Sequence, residues 1–429
     1  MANTGIQESP TVLSGRRSPS AKVAYIVSGF PTLYETFVLY DILEMEELGV
    51  SVDLYPLRRM YPKITHPEAL RWIECAHYHP YLSLAILRAQ WHFLRRQPLA
   101  YLKLWAEVLR GTWGSANFFL ATIAIFPKTV LFAYEMSSQG IMHVHAHFAN
   151  HPTVAALIIH RLTGIPFSFT ARGSDVQVDR HMLGKKIEAA EFALAVSSDL
   201  KRIMVNECDP VQHEKIHVIR GGVDVDRLTP PSSKHAAGPL RILCVARFEE
   251  VKGHTYLVEA CRILRQRGTP FACRLVGEGP LVQTIERQIE DAGLGEKIQL
   301  LGPRSYQEVI AELERTDVVV LPTAPTPAGD REGMPTVLQE AMACGLPVVS
   351  CLVEGIAELV DDDLTGILVL PKNAMALSDA FQRLHDDPAL RYRMGRAGRE
   401  KIVKQFSLKV NTARRASLFL KGMGSVELR

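Results

Sequence analysis

Ordered alternation of apolar and polar positions begins at Val23. Val23-Ala24-Tyr25-Ile26-Val27 is a short apolar run suited to a buried strand, and Gly29-Phe30-Pro31 breaks it. Glu35 to Leu48 then repeats at helical spacing, and Val50 to Leu54 reads as a second strand. The stretch from about 66 to 140 reads as mostly helical. Strand signals resume at His143 to Phe148, Phe167 to Thr170, Leu194 to Ser197 and Ile216 to Ile219. Thr229 to Pro239, with three prolines, two serines and a glycine, reads as a linker. Beyond it the candidate strands are Leu240 to Ala246, Phe271 to Val276, Lys297 to Leu301, Asp317 to Leu321, Pro347 to Ser350 and Gly366 to Val369.

Strands that alternate with helices predict parallel sheets covered on both faces. The expectation is an α/β protein with two doubly wound, Rossmann-like domains facing across a cleft. A polar leader (1–20) precedes an N-terminal domain (21–230), a linker (231–239) and a C-terminal domain (240–395). A C-terminal helix (396–429) then packs back on the first domain. Such sheets bind ligands beyond the carboxyl ends of their strands, so chemistry is sought in the loops that follow strands.

Composition narrows this picture. A chain of 429 residues, 47% hydrophobic and 22% charged, is neither disordered, collagen-like nor a disulfide-rich mini-protein. Its net charge of +3 does not point to nucleic acid. Seven scattered cysteines with no Cys-x-x-Cys pair read as buried thiols of a reduced, cytoplasmic protein. The first 20 residues hold no apolar signal-peptide core. Ala116 to Tyr134 approaches the length of a membrane span, but Pro127-Lys128 interrupts it, which favours a buried or interfacial helix.

The near-neutral total conceals a local bias. Arg58 to Gly111 carries nine Lys or Arg against Glu68, Glu74 and Glu107, a net of +6. It includes Trp72, Trp91 and Trp105, with Trp113 just beyond. Two readings stand side by side: helices packed on the first sheet, or a surface directed at an anionic membrane, with Trp rings at the interface. Arg391 to Arg415 is also basic and reads as a solvated helix face.

The most informative segment is Asp330-Arg331-Glu332-Gly333-Met334-Pro335-Thr336-Val337-Leu338-Gln339-Glu340-Ala341. It follows the strand ending at Leu321, and Pro335 suits the first turn of a helix. Glu332 and Glu340 then stand on the order of 9–12 Å apart. That spacing suits one carboxylate for a sugar and one for a ribose, with a diphosphate between them near the helix start. Two glutamates there would also simply complement the helix dipole. Arg247 and Lys252 follow the first strand of the second domain, where two cations suit a diphosphate leaving group. Gly277-Glu278-Gly279-Pro280 would admit a ligand closely. In the first domain, Ser28-Gly29-Phe30-Pro31 and Thr170-Ala171-Arg172-Gly173 follow strands. Arg172 is a candidate phosphate or acceptor contact, and Asp175 a candidate helix cap. His143, His145 and His147 alternate on one strand face, a pattern for satisfied hydrogen bonds or, alternatively, for zinc.

These residues together resemble the family-4 retaining glycosyltransferases of the GT-B fold, from about Val23 to Phe406 and most strongly over Arg241 to Val369. The carriers are Ala246-Arg247-Phe248 with Lys252-Gly253, Gly277-Glu278-Gly279-Pro280, Leu300-Leu301-Gly302, and Glu332-Gly333-Met334-Pro335 ending in Glu340-Ala341-Met342-Ala343. Gly355 to Val360 and Thr365-Gly366 continue the match. The resemblance implies sugar contacts at Glu332 and at the backbone of Gly333, Met334, Pro335, Thr336 and Val337, and a ribose contact at Glu340. It implies diphosphate contacts at Arg247 and Lys252 with help from Gly29, and base contact near Arg304. No metal and no resident cofactor are expected. The family commonly places a histidine where this chain has Arg172, so Arg172 either replaces it as a fixed cation or the chemistry differs. Gly29 to Phe37 is similar to bacterial enzymes of exopolysaccharide or capsule assembly, of colanic-acid type.

The expected activity is retaining transfer of a sugar from a UDP- or GDP-sugar to a hydroxyl. The suggested acceptor is a lipid-linked glycan met at the inner face of the plasma membrane. The rivals are a nucleotide-sugar epimerase of the same fold and a catalytically silent glycan- or lipid-binding partner.

Overall fold

The computed structural model describes residues 21–230 and 238–422, so the 1–20 leader and positions 231–237 of the linker lie outside the described residues. Among the described residues twelve strands form two six-stranded parallel sheets. The first sheet contains β1 (Lys22–Val27), β2 (Ser51–Pro56), β3 (His143–His147), β4 (Phe167–Ala171), β5 (Phe192–Ala195) and β6 (Ile216–Val218), in the order β2-β1-β3-β4-β5-β6. The second contains β7 (Leu240–Val245), β8 (Phe271–Val276), β9 (Ile298–Gly302), β10 (Val318–Leu321), β11 (Val348–Cys351) and β12 (Gly366–Val369), in the order β12-β11-β10-β7-β8-β9. Strand order reverses between β1 and β3 and again between β7 and β10, and crevices for ligands form at such reversals. β3, β4, β5, β10 and β11 are buried along their whole length; β5 and β10 are accordingly unbroken apolar runs, whereas β3 and β4 bury alternate His, Ser and Thr side chains that hydrogen-bond one another. β5 starts two residues before the sequence expectation, because Phe192 pairs with Ser168 of β4.

The 66–140 region supplies an outer helical layer, chiefly Leu84–Arg96, Pro98–Thr112 and Ala116–Met136. The last is long and apolar enough to cross a membrane. Here it packs as a domain helix: Phe118, Phe126, Val130 and Phe132 enter the first core. Lys128, in its middle, donates to the Leu57 carbonyl at 2.9 Å and lies over the Tyr81 ring. The tryptophans divide. Trp72 is buried and Trp105 stacks on Phe126, whereas Trp91 and Trp113 are exposed, so only two of the four can serve an interface.

The C-terminal region departs from the single helix expected over 396–429. Pro388–Gln405 stays with the second domain, burying Leu390, Met394 and Ile402. The chain crosses over at Phe406 and Ser407, and Leu408–Gly422 packs on Thr36–Glu47 of the first domain. The crossing is fixed by backbone pairing: Val223 donates to Phe406 at 3.0 Å, and Leu408 donates back to Val223 at 3.0 Å. Two of the basic residues assigned to a solvated face are not solvated. Arg399 clamps the Val225, Leu228 and Ala343 carbonyls, and Arg415 is buried against Asp41. Tyr25 and Thr412 also donate to Asp41, at 2.9 and 3.1 Å, which satisfies a charge that would be costly to bury alone.

Candidate active site

The second sheet delivers its candidates from loops at the carboxyl ends of its strands. The loop after β7 turns at Gly253, whose φ of +68° and contact with Pro322 oxygen leave no room for a side chain. That turn aims Lys252 at Glu332, and the two form an ion pair in which both side chains are largely buried. Arg247 is more open and pairs with Glu249 at 3.0 Å. Arg247 also acts, with Glu278, on the phenol of Tyr34 in the facing domain; burial foremost pushes that phenol up to about 12.

The loop bearing Glu332 is wedged between backbones. A Cβ on Gly333 would stand 2.8 Å from the Arg172 carbonyl oxygen of the first domain, so only glycine permits this approach. Pro335 caps the helix Thr336–Ala343 and does not occupy its first turn. Met334 packs against the cores of both domains, and Val337 against the second. Thr336 lines a narrow pocket with Glu340.

Arg172 therefore sits beside the Glu332–Gly333 backbone. Its guanidinium lies 3.8 Å from the Phe37 ring centroid and donates from Nη2 to His147 Nδ1 at 3.3 Å. Burial pulls Arg172 down to about 10, which leaves it a cation at neutral pH. His147 is held well below its ordinary value by burial, hence neutral and able to accept that hydrogen bond. Glu35, raised by burial, feels Arg172, Arg247 and Arg58. Asp175 does not cap its helix. Its carboxylate accepts from the backbone of Ala149, Arg172 and Gly173 at 2.6–3.2 Å, tying two loops of the first domain together.

His143 and His145 hydrogen-bond with Ser168 and Thr170 inside the core, and burial lowers both. Among the described residues, the side chains that gather three metal-type ligand atoms within 4.8 Å are His77, His79 and Glu135, beside the edge strand β2.

Glu340 is buried, and desolvation pushes its carboxyl up to about 8. Its pocket is walled by Tyr40, Arg227 and Tyr306, with the Arg227 guanidinium 4.9 Å from the Tyr306 ring centroid. Sequence reading missed these three. Tyr306 stands two residues after Arg304, which instead lies half-exposed near Glu308 at 3.7 Å. Gly29 packs beside Met60, and no hydrogen bond joins it to Arg247, Lys252 or Glu332 among the described residues.

A second, open cavity of about 630 Å³ lies between the domains on the Asp330 side. Asn117, Phe118, Asn150, His151, Asp179 and Glu250 contribute to its lining. Asn150 Oδ1 and His151 Nε2 are buried there without a partner. Amides, carboxylates and an aromatic face together suit a polyhydroxyl ligand.

Comparison with known proteins agrees with this geometry. Residues 226–401 match the family described as Glycosyl transferases group 1, and residues 107–227 match Glycosyltransferase Family 4. A putative colanic acid biosynthesis glycosyltransferase, WcaL of Escherichia coli K12, is 40% identical over 425 residues, covering 92% of this chain and 99% of that protein. Among solved structures, a glycosyltransferase from Rickettsia africae superposes with a TM-score of 0.70 at 17% identity, covering 94% of this chain and 99% of that one. HepE of Anabaena, solved with UDP, superposes at 0.67 and 16% identity, covering 93% and 100%.

Proposed function

Because this chain belongs to the family-4, group 1 glycosyltransferases of the GT-B fold, we propose that it moves a sugar from a UDP- or GDP-sugar to a hydroxyl of a lipid-linked glycan during exopolysaccharide assembly. Transfer proceeds with retention of anomeric configuration, at the cytoplasmic face of the membrane. The observation that carries the reading is the largely buried Lys252–Glu332 ion pair of the second domain, with the adjoining Gly333 packed against the Arg172 carbonyl of the first.

In this reading Arg247 and Lys252 hold the diphosphate and neutralise the charge that grows on it as the glycosidic bond breaks. Glu332 orients the sugar hydroxyls and stabilises positive charge on the anomeric carbon. The acceptor hydroxyl attacks from the same face, and its proton passes to the departing phosphate oxygen. Glu340 accepts from the ribose hydroxyls inside its desolvated pocket, where an unmade hydrogen bond is expensive. Arg172, buttressed by neutral His147, supplies a fixed cation where relatives use a histidine. With three cations at the diphosphate and sugar, no metal is assigned to the step. Full-length similarity to a transferase disfavours both the epimerase and the silent partner.

The test is a thermal-shift screen of UDP-, GDP- and ADP-sugars followed by a transfer assay with lipid-linked acceptors. A ligand that binds only the folded state raises Tm, by about 2.7 kcal/mol of stability at 100 times Kd. One nucleotide series should raise Tm. No shift with any of them would overturn the donor assignment.

A further inference from the structure

The donor and acceptor clefts leave one part of the first domain unexplained. The helix Leu84–Arg96 buries Ile86, Ala89 and Phe93, yet its opposite side exposes Leu84, Leu87, Arg88, Trp91 and Arg95. The next helix, Pro98–Thr112, buries Tyr101, Leu104 and Val108 and exposes Leu99, Leu102, Lys103 and Arg110. Trp113, 75% exposed, follows directly, and Leu120 and Ile123 continue the exposed apolar series on the third helix. A solvated helix normally turns charged and polar residues outward and keeps such side chains inside. Here leucine, isoleucine and tryptophan alternate outward with cations. Large exposed apolar areas rimmed by charge mark interaction sites.

The charge pattern selects the partner. Between 81 and 123 the cations are Arg88, Arg95, Arg96, Lys103 and Arg110, and the only acidic residue is Glu107. Glu107 already faces Arg161 at 3.5 Å. None of the five cations has a carboxylate partner among the described residues. A second copy of the same face would bring like charges together. An anionic bilayer instead meets the cations at its headgroups and takes the leucine and tryptophan side chains below them.

Position reinforces this choice. Asn117 and Phe118, which line the 630 Å³ cavity, lie on the same helix as Leu120 and follow Trp113 by four and five residues. The Trp113 ring packs edge-on against Phe119. The open cavity thus shares its edge with the apolar face, so a sugar tethered to a bilayer lipid needs little reach to enter. We infer that the outer face of the helices 84–96, 98–112 and the start of 116–136 docks on an anionic lipid bilayer, with the acceptor cavity opening beside the membrane. This inference rests on the proposed transfer to a lipid-linked acceptor for its purpose, though not for its test.

The experiment is flotation of the full chain with phosphatidylcholine vesicles and with vesicles that also contain phosphatidylglycerol. The parent protein should bind the anionic vesicles and not the neutral ones. Arg88→Gln, Arg95→Gln and Arg96→Gln together should weaken that binding roughly 100-fold, given about a fivefold loss per cation. Trp91→Ala should weaken it further in either background, and nucleotide-induced shifts in Tm should stay at the parental value in every variant. Equal binding to both vesicle types, or undiminished binding by the triple variant, would overturn the inference. So would light scattering showing that the face holds two copies of the chain together. Loss of nucleotide response with vesicle binding intact would strike the transfer reading and leave this surface standing.

Discussion

The two sheets share a doubly wound design and differ in where they put their charges. The second sheet sets Arg247, Lys252, Glu332 and Glu340 on loops or a helix start around the cleft, where they can meet a ligand. The first sheet places Asp41, Arg415 and its three strand histidines inside the protein, where they meet one another. Arg172 is the point of contact between the two arrangements, with His147 on one side and Gly333 on the other. In the proposed function the charges around the second domain's cleft serve chemistry, whereas Asp41, Arg415 and the strand histidines hold the first domain's shape.

The sharpest way to break that contrast is Asp41→Ala. It strands a buried Arg415 and should cost about 3–5 kcal/mol in urea unfolding, a large share of a typical 5–15 kcal/mol. A loss below about 1 kcal/mol would mean that the first domain does not depend on its buried pair. Glu332→Ala should do the reverse, lowering kcat by about 10²–10³ with a minor change in Tm.

Glu340→Gln tests both properties at once. Its carboxyl titrates near 8 in the fold and at an ordinary value near 4.5 when unfolded. A raised carboxyl leaves stability untouched below the lower value and removes it as pH rises toward the higher one. The variant should therefore equal the parent near pH 4.5 and exceed it by about 2–4 kcal/mol at pH 8, while losing nucleotide affinity. A parent whose advantage or deficit is the same at both pH values would show that Glu340 is not desolvated.

Arg172→His should keep activity within about tenfold of the parent, because a polar donor remains beside Phe37 and His147, whereas Arg172→Ala should lose about 10². Equal losses would deny Arg172 a role in the cleft. Addition of EDTA should change turnover least of all, and a loss that zinc or magnesium restores would reassign the charge stabilisation to a metal.

Much of the second domain was legible because its chemistry follows local spacing. Strand, loop and helix succeed one another, so Lys252 and Glu332 could be assigned to one cleft from their places after β7 and β10. The first domain was less legible for the opposite reason. Asp41 and Arg415 are 374 residues apart, and no periodicity joins them. Tyr40, Arg227 and Tyr306 come from three separate segments, and only folding brings them to Glu340. Basic residues in the last 40 positions looked solvated because sequence reports charge but not the carbonyls Arg399 would find. The tryptophans illustrate the same limit: their number signalled an interface, but burial withdrew Trp72 and Trp105 from it.

The paired crossing at Val223 and Phe406 makes the second sheet an insertion within the first domain. The described chain builds most of a globule up to residue 222, departs to build another, and returns at 408 to complete the first with one helix. A ribosome therefore finishes the second domain before the first has the helix Leu408–Gly422 and the partner for Asp41. Until Arg415 arrives, Asp41 lacks its counter-charge, so the first domain closes its core last although it was started first.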